Sequence, residues 1–292
     1  MIPSQVIKKI RRIHIKSRRT VSSIMAGQYR SVFRGSGMEF EEVREYTPGD
    51  EVKSIDWKVS ARLGRPFVKR FREEREAIVI LLIDMSASLQ FGSFSGQTLE
   101  KVAEAASVLA FSAIKNNDKV GVVFFTDRVE AYIPPKKGSA HVWRVIKEIF
   151  TFQPQGRGTD LNVPLTYISK ILKKRAFVFI LSDFMGPLDE RSLGLARRRH
   201  EIIGVGIQDG AARELPRGGM IQIRDLETGA CRWVDGFDAR TRKIYAQTRI
   251  RQQEGVRKSF ARSKSDFMEI ATRESVADSL SRYFREREKR IR

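Results

Sequence analysis

The sequence predicts an α/β protein in which a mostly parallel β-sheet is flanked by helices. From residue 77 onward, short apolar or β-branched runs alternate with longer helical patterns, as in strands joined by crossover helices. Two of the runs, AIVILLI (77–83) and AFVFILS (176–182), are apolar throughout, which is typical of central strands buried on both faces. The 292 residues, 41% of them hydrophobic, are enough for one large domain or two modest ones.

The other elements continue this alternation. After the first apolar run, apolar residues from Leu99 to Ile114 recur at helical spacing, which predicts a helix that ends at the polar residues 116–118. Further strands are predicted at 119–126, 128–133, 201–207, 219–225, 231–234 and 266–270. Further helices are predicted at 139–150, 161–173, 188–199 and 238–263, with a closing helix from Ser275.

The first 76 residues differ in character from the rest. They contain a basic arm, a glycine-rich turn at 35–37 and a polar segment with one strand candidate, PFVKRFREE (66–74). We therefore expect residues 1–76 to form a basic N-terminal arm and a β-containing elaboration. Residues 77–292 are expected to form the α/β domain with basic C-terminal helices.

The number of cysteines and the hydropathy of the chain predict the cellular compartment of the protein. Cys231 is the single cysteine, which excludes an intramolecular disulfide and a cysteine-based zinc cluster and favours a reducing compartment. No apolar stretch approaches the roughly 18–20 residues that cross a bilayer, and basic residues stand where a signal peptide needs its apolar core. We expect a cytoplasmic protein without a transmembrane segment. The three tryptophans are interpreted as core or half-buried anchors, at Trp57, Trp143 and Trp233.

The positive charge is concentrated at the two ends of the chain. The formal net charge is +20, of which residues 1–35 and 240–292 contribute +9 each and the body between them only +2. Basic ends of this kind bind polyanions or acidic partners, but charge runs are more often solvated helix faces. Because no RNA-recognition motif, zinc finger or leucine zipper accompanies them, nucleic acid is a minor hypothesis.

Polar residues that suit a hard cation follow both apolar strands. Asp84, Ser86 and Ser88 lie in the segment DMSAS after the first strand, Thr159 lies in a glycine-rich loop, and Asp183 follows the second strand. Open α/β sheets bind ligands at the carboxyl edge, where these loops converge. Oxygen ligands of this type favour Mg²⁺ or Mn²⁺. Two carboxylates and three hydroxyls leave a coordination position for an oxygen from outside the chain.

These segments resemble a known site. DMSAS, the GTD at 158–160 and the isolated Asp183 are similar to the three parts of the metal-ion-dependent adhesion site (MIDAS) of von Willebrand factor A domains. The likeness implies a von Willebrand A-like, Rossmann-like sheet. It also implies that Asp84, Ser86, Ser88, Thr159 and Asp183 are metal ligands, some of them through water. Asp160 is interpreted instead as a cap of the following helix.

A second resemblance covers most of residues 20–210. The segment GMEFEEVREYTPGDEVKSIDWKVSARLGRPFVKRFREEREAIVILLIDMSAS is similar over its whole length to the signature of domain-of-unknown-function family 58. The likeness continues through NNDKVGVVFF, the PPKKG turn, GTDL and LSDF. It implies a bacterial protein that works as an adaptor or assembly factor with a MoxR-type AAA+ ATPase. Some relatives have transmembrane helices, which this sequence lacks.

The sequence favours binding over catalysis but leaves alternatives. It has neither a Gly-x-Ser-x-Gly elbow nor a phosphate-binding loop, and Ser86 occupies the place where an aspartyl phosphatase would have its second acid. We expect no catalysis, and a partner carboxylate, from the ATPase or from a client protein, completing the metal shell. The alternatives are a polyanion-binding protein and a metal-dependent phosphohydrolase. Asp84, Ser86 and Ser88 also fit a set of structural loop hydrogen bonds.

Overall fold

The structure is a computed structural model that describes residues 4–21, 28–29, 32–33, 37–74, 76–90, 97–210 and 213–291. Contacts divide the chain into two compact units. The small unit contains the described residues between 34 and 77, and the sheet unit contains those up to 33 together with those from 78 onward. By its contacts the basic arm therefore belongs with the sheet, although the sequence analysis grouped it with the elaboration.

The described strands are β1 to β10 in chain order: Gly37–Glu45, Phe67–Glu74, Ile78–Asp84, Lys119–Phe125, Val129–Lys136, Phe177–Ser182, Glu201–Gln208, Met220–Arg224, Cys231–Asp235 and Asp266–Ala271. Six of them form one sheet in the order β10-β7-β6-β3-β4-β5, in which only β5 is antiparallel to its neighbour among the described strands. The predicted fold class, a mostly parallel sheet in an α/β protein, is confirmed.

The described α-helices are α1 to α9 in chain order: Ser4–Thr20, Trp57–Leu63, Ala87–Gln90, Gln97–Lys115, Ser139–Thr151, Asn162–Ile171, Glu190–Arg199, Ala239–Arg262 and Val276–Ile291. Within the described part of the chain, none of the helices combines the length and the apolar character that a membrane span requires.

The central strand β3 shows why its sequence is apolar throughout. Val79, Leu81 and Ile83 join a core formed with α1, α4, α5 and α9. Ile80 and Leu82 point to the opposite face and join a second core formed with α6, α7 and α8. Because successive side chains of a strand alternate between faces, a strand covered by helices on both sides needs apolar residues at every position.

The basic arm is an amphipathic helix. In α1, Ile10 and Ile13 are buried in the core of the sheet unit. Lys16 forms an ion pair of 2.7 Å with Glu104 of α4. The exposed face of the helix carries Lys8, Lys9, Arg11 and Arg12. This helix therefore contributes apolar packing and a solvent-facing basic surface at once.

The small unit is organised by two aspartates. β1 and β2 pair antiparallel. Arg44 donates two hydrogen bonds to the carboxylate of Asp50, at 2.6 and 2.9 Å, and this pairing holds the pKa of Asp50 down at about 2. Asp56 caps α2 by accepting hydrogen bonds from backbone N–H groups and lies 3.4 Å from the ammonium of Lys69. A network of ion pairs and hydrogen bonds thus orders this unit.

The expectation for the tryptophans is only partly correct. Trp143 packs against the core, as predicted. Trp57 and Trp233 are 67% and 62% exposed, so the prediction that they are anchors is wrong. Trp233 lies on β9, and neither strand of the β8–β9 hairpin contains a buried residue. A hairpin with no packed face of its own leaves its aromatic side chain in solvent.

Candidate metal centre

The predicted site residues lie where the strand order reverses. From β3 the chain proceeds to β4 and β5 on one side of the sheet, and from β6 it proceeds to β7 and β10 on the other. β3 and β6 are adjacent and parallel, so their carboxyl ends lie side by side. Asp84 ends β3 and Asp183 directly follows β6. This reversal opens a crevice at the sheet edge, which is the usual ligand position in open α/β sheets.

Asp84 is completely buried and is held by hydrogen bonds from Ser182 and Ser86. The hydroxyl of Ser182 donates to Oδ2 at 2.5 Å, and the backbone N–H of Ser86 donates to Oδ1 at 2.9 Å. Burial, followed by the negative charge of Asp183, raises the pKa of Asp84 to about 7, although the hydrogen bonds from Ser182 and Ser86 act in the opposite direction. The carboxylate is therefore fixed in place but poorly compensated for its charge.

The two serines of DMSAS connect Asp84 to Asp183. The hydroxyls of Ser86 and Ser88 are 3.0 Å apart, and the Ser88 hydroxyl hydrogen-bonds Asp183. The backbone N–H of Met185 also donates to Asp183, at 3.1 Å. Burial still raises the pKa of Asp183 above its ordinary value. Four of the five predicted ligands thus form one connected group.

The glycine-rich loop is fixed beside this group. The backbone N–H of Ala87 donates to the carbonyl of Arg157 at 3.1 Å, which ties the loop to the DMSAS segment. The chain at Gly186 passes so close to Thr159 that a Cβ atom there would lie 2.5 Å from the Thr159 carbonyl oxygen. Asp160 accepts a hydrogen bond of 2.9 Å from the N–H of Asn162 at the start of α6, while Leu161 occupies the N-cap position itself.

Thr159 forms a hydrogen bond with a carboxylate that the sequence does not predict to lie at this site. Its hydroxyl donates to Oε1 of Glu227 at 2.7 Å. Glu227 lies in the turn between β8 and β9, and its negative charge further raises the pKa of Asp183. The segment DLETG (225–229) signals a turn between two strands, but nothing local says that the turn lies at the sheet edge.

A cation from α8 also faces the group. The charge of Arg249 lowers the pKa of Asp183, and its guanidinium lies 5.6 Å from the ring centre of Tyr245 and donates to Sδ of Met185 at 2.8 Å. Beside it, a cavity of about 680 Å³ separates the β8–β9 hairpin from α8. Its lining includes Ser88, Asp183, Glu227 and Arg249, so the site opens into this cavity.

The donor set fits a hard divalent cation. Asp84 is buried and Asp183 is half-buried, and both have raised pKa values. The hydroxyls of Ser86 and Ser88 belong to the same hydrogen-bonded group, and the hydroxyl of Thr159 lies on the adjoining loop and bonds to Glu227. Carboxylate and hydroxyl oxygens are ligands for Mg²⁺ and Mn²⁺. The described residues contain no cluster of three or more His, Cys, Asp or Glu side chains at metal-binding spacing. The candidate set consists of two carboxylates and three hydroxyls.

The three histidines lie outside the hydrogen-bonded group of Asp84 and Asp183 and pack against other parts of the fold. A ring nitrogen of His141 lies 2.8 Å from the carbonyl oxygen of Val120, and His14 stacks on Trp143. His200 is buried at the end of α7, where burial lowers its pKa to about 4. The groups that contact Asp84 and Asp183 are serine hydroxyls and backbone N–H groups.

Comparison with known proteins yields a family and a bacterial relative. A family model described as "Protein of unknown function DUF58" matches residues 42–255. The uncharacterized protein Rv1480 of Mycobacterium tuberculosis (strain ATCC 25618 / H37Rv) is 29% identical over 226 residues, which cover 76% of this chain and 71% of that protein.

Two solved structures share a distant likeness. The conserved hypothetical protein BatB from Bacteroides thetaiotaomicron aligns with a TM-score of 0.47 and 16% identity, over 73% of this chain and 99% of that one. Proximal thread matrix protein 1 from the mussel byssus, solved with zinc in its MIDAS motif, aligns with a TM-score of 0.36 and 18% identity, over 45% of this chain and 38% of that one. At these TM-scores neither structure supports an inference about this chain.

Proposed function

The chain belongs to the family DUF58, whose function is unknown, and we propose that it binds partner proteins through a divalent metal ion at the carboxyl edge of its sheet. Asp84, Ser86, Ser88, Thr159 and Asp183 would hold Mg²⁺ or Mn²⁺. When bound, the ion would offer an open coordination position to a carboxylate of the partner. The proposed partner is a MoxR-type AAA+ ATPase, a client protein, or both, as the family resemblance implies, and the proposed location is the cytoplasm.

One observation carries this proposal: two carboxylates, Asp84 fully buried and Asp183 half-buried, lie at the ends of adjacent strands, each with a raised pKa. A carboxylate pair that is largely withdrawn from water is costly unless a proton or a cation compensates its charge. The hydroxyl of Ser182 and the N–H of Ser86 orient Asp84 without neutralising it. A divalent cation would offset the charge of both carboxylates.

The surroundings favour binding over catalysis. A phosphohydrolase that used Asp84 as nucleophile would need a second acid or base in direct contact with it, whereas the side chains that hydrogen-bond Asp84 are serine hydroxyls, and Asp183 is connected to it through Ser86 and Ser88. The cavity next to the site has room for part of a partner chain. We therefore propose a protein without catalytic activity of its own.

The first test is calorimetric titration with Mn²⁺ of the wild type, Asp84→Ala and the control Asp278→Ala. Asp278 is an exposed aspartate in the first turn of α9, so this control removes a carboxylate of the same type outside the site. We expect saturable binding in the wild type and the control, and its loss in Asp84→Ala. Equal binding by all three proteins would refute the metal site.

The second test concerns the partner. The purified protein, immobilised, is offered the MoxR-type ATPase in Mg²⁺ and in EDTA. We expect retention only in Mg²⁺ and only with the wild type and Asp278→Ala. Retention that is equal in EDTA would show a contact without a metal bridge.

A second candidate function is polyanion binding, which the exposed basic face of α1 supports. This face carries Lys8, Lys9, Arg11 and Arg12, while the opposite face is buried in the core. Changing the four residues to Gln leaves the buried face intact. If this function holds, binding of the wild type to duplex DNA or anionic vesicles falls steeply with salt and the variant binds neither. Binding that is insensitive to both changes would exclude it.

A further inference from the structure

Glu227 is a carboxylate of this chain that lies next to the proposed metal ligands. It accepts the hydrogen bond of Thr159, at 2.7 Å, and its charge acts on Asp183. The proposed function assigns Glu227 no role, although it reserves a place at this site for a carboxylate from a partner. A glutamate side chain supplies the same chemical group from within the chain.

The turn that presents Glu227 has a defined conformation. Asp225 accepts hydrogen bonds from the backbone N–H groups of Glu227 and Thr228, at 2.9 and 3.1 Å. Gly229 has a φ of 74°, a conformation that strongly favours glycine, and its N–H donates to the carbonyl of Asp225 at 2.8 Å. Glu227 is thereby held half-buried at the tip of the hairpin.

The hairpin that carries this turn is weakly packed. The strands β8 and β9 are joined by a regular antiparallel register from the pair Met220 and Asp235 to the pair Arg224 and Cys231, yet neither strand has a buried residue. Few buried apolar contacts mean a low free-energy cost for local displacement. The cavity of about 680 Å³ between the hairpin and α8 leaves space beside Glu227.

We propose that Glu227 is the internal counterpart of the partner's acid: it closes the metal site by holding Thr159, and an acidic side chain of the partner displaces it. This inference rests on the proposed function, because it assigns a role to Glu227 at the same site. It specifies the partner group as a carboxylate that enters through the cavity between the hairpin and α8. It also makes Glu227 a determinant of affinity for both the ion and the partner.

Two effects of opposite sign follow from this role. With Glu227 changed to Gln, the site loses a negative charge, so its affinity for Mn²⁺ falls by about tenfold. The same change replaces the competing carboxylate by a neutral amide, so affinity for an external carboxylate rises. A residue that only stabilised the turn would produce neither the fall nor the rise.

The test uses the full chain in four forms: the wild type, Glu227→Gln, the control Glu254→Gln and Asp84→Ala. Glu254 is an exposed glutamate of α8, so Glu254→Gln removes the same charge outside the cavity. Calorimetry with Mn²⁺ gives the affinity for the ion. Proton relaxation of water around bound Mn²⁺ gives access to the ion, which increases in Glu227→Gln if Glu227 closes the site.

Displacement is followed at Cys231. This exposed residue is the single cysteine of the chain and lies on β9, so an environment-sensitive dye attached to it reports on the hairpin. Acetate is added in saturating Mn²⁺, with acetamide as the neutral control. We expect a saturable signal with acetate, none with acetamide, and half-saturation at an acetate concentration about tenfold lower in Glu227→Gln than in Glu254→Gln.

The outcomes separate the two proposals. If Asp84→Ala binds Mn²⁺ as the wild type does, the metal site itself is wrong and the role of Glu227 falls with it. If Asp84→Ala loses Mn²⁺ but Glu227→Gln matches Glu254→Gln in Mn²⁺ affinity and in acetate response, the metal site stands and the role of Glu227 is refuted.

Discussion

Replacing Asp84 by asparagine should stabilise the metal-free protein at high pH, because the neutral amide avoids the cost of a buried charge. Burial, followed by the charge of Asp183, raises the pKa of Asp84 from its ordinary 3.8 to about 7 in the folded protein. In the unfolded chain the carboxyl is solvated and returns to its ordinary pKa. The folded and unfolded states therefore hold the Asp84 proton over different pH ranges.

The direction and size of the effect follow from this difference. Between pH 3.8 and about 7 the folded state keeps a proton that the unfolded state has released, so the free energy of unfolding falls as the pH rises through this window. Each pKa unit corresponds to about 1.4 kcal/mol, so the loss above pH 7 is on the order of 4 kcal/mol. The amide in Asp84→Asn does not titrate, so this variant does not lose stability over this pH range.

The assay is urea unfolding in EDTA at pH 5 and pH 8, for the wild type, Asp84→Asn and the control Asp278→Asn. The introduced amide keeps one acceptor and adds a donor, so its constant effect on stability cancels when the two pH values are compared. We expect the stability of Asp84→Asn relative to the wild type to rise by about 3 kcal/mol from pH 5 to pH 8, because about two pKa units of the window lie above pH 5. A difference that is the same at both pH values would refute the reasoning, and Mn²⁺ should stabilise only the wild type and the control at pH 8.

Three further predictions concern single residues. Ser88→Ala should weaken Mn²⁺ binding by about tenfold in calorimetry, with the melting temperature nearly unchanged, because Ser88 is only half-buried. His200→Leu should reduce the loss of melting temperature between pH 6.5 and pH 4.5, because burial lowers the pKa of His200 to about 4 and only the unfolded state takes up the proton in that range. Arg287→Met should cost about 3 kcal/mol in urea unfolding, because Arg287 pairs with Asp266 and Glu201 in a largely buried network.

The parts of the fold that the sequence predicts are those set by local pattern. The run AIVILLI became β3 and AFVFILS became β6, within one or two residues, because burial on both faces demands apolar side chains at consecutive positions. The position of the basic arm is not set by local pattern, since its few apolar residues, such as Ile10 and Ile13, indicate a helix face but not the surface that the face covers.

Local pattern likewise predicts only part of the candidate site. The sequence indicates that Asp84 and Asp183 each follow a buried strand, and parallel strands place both residues at one edge of the sheet. Their proximity depends on β3 and β6 being neighbours, a strand order that no local pattern states. Local pattern does not identify Glu227, because its contact with Thr159 joins residues 68 positions apart and the hairpin sequence does not indicate where the hairpin packs.

The position of the missed residue affects how the site can work. Four of the predicted ligands are fixed by the rigid sheet edge and the DMSAS loop, whereas Thr159 bonds to a glutamate on the weakly packed hairpin. If the affinity for the metal ion depends on this hairpin, it changes when the hairpin moves, even if the sheet does not move. A partner that displaced Glu227 would therefore need no rearrangement of the sheet, and the energetic cost of its binding would lie in the contact between Glu227 and Thr159.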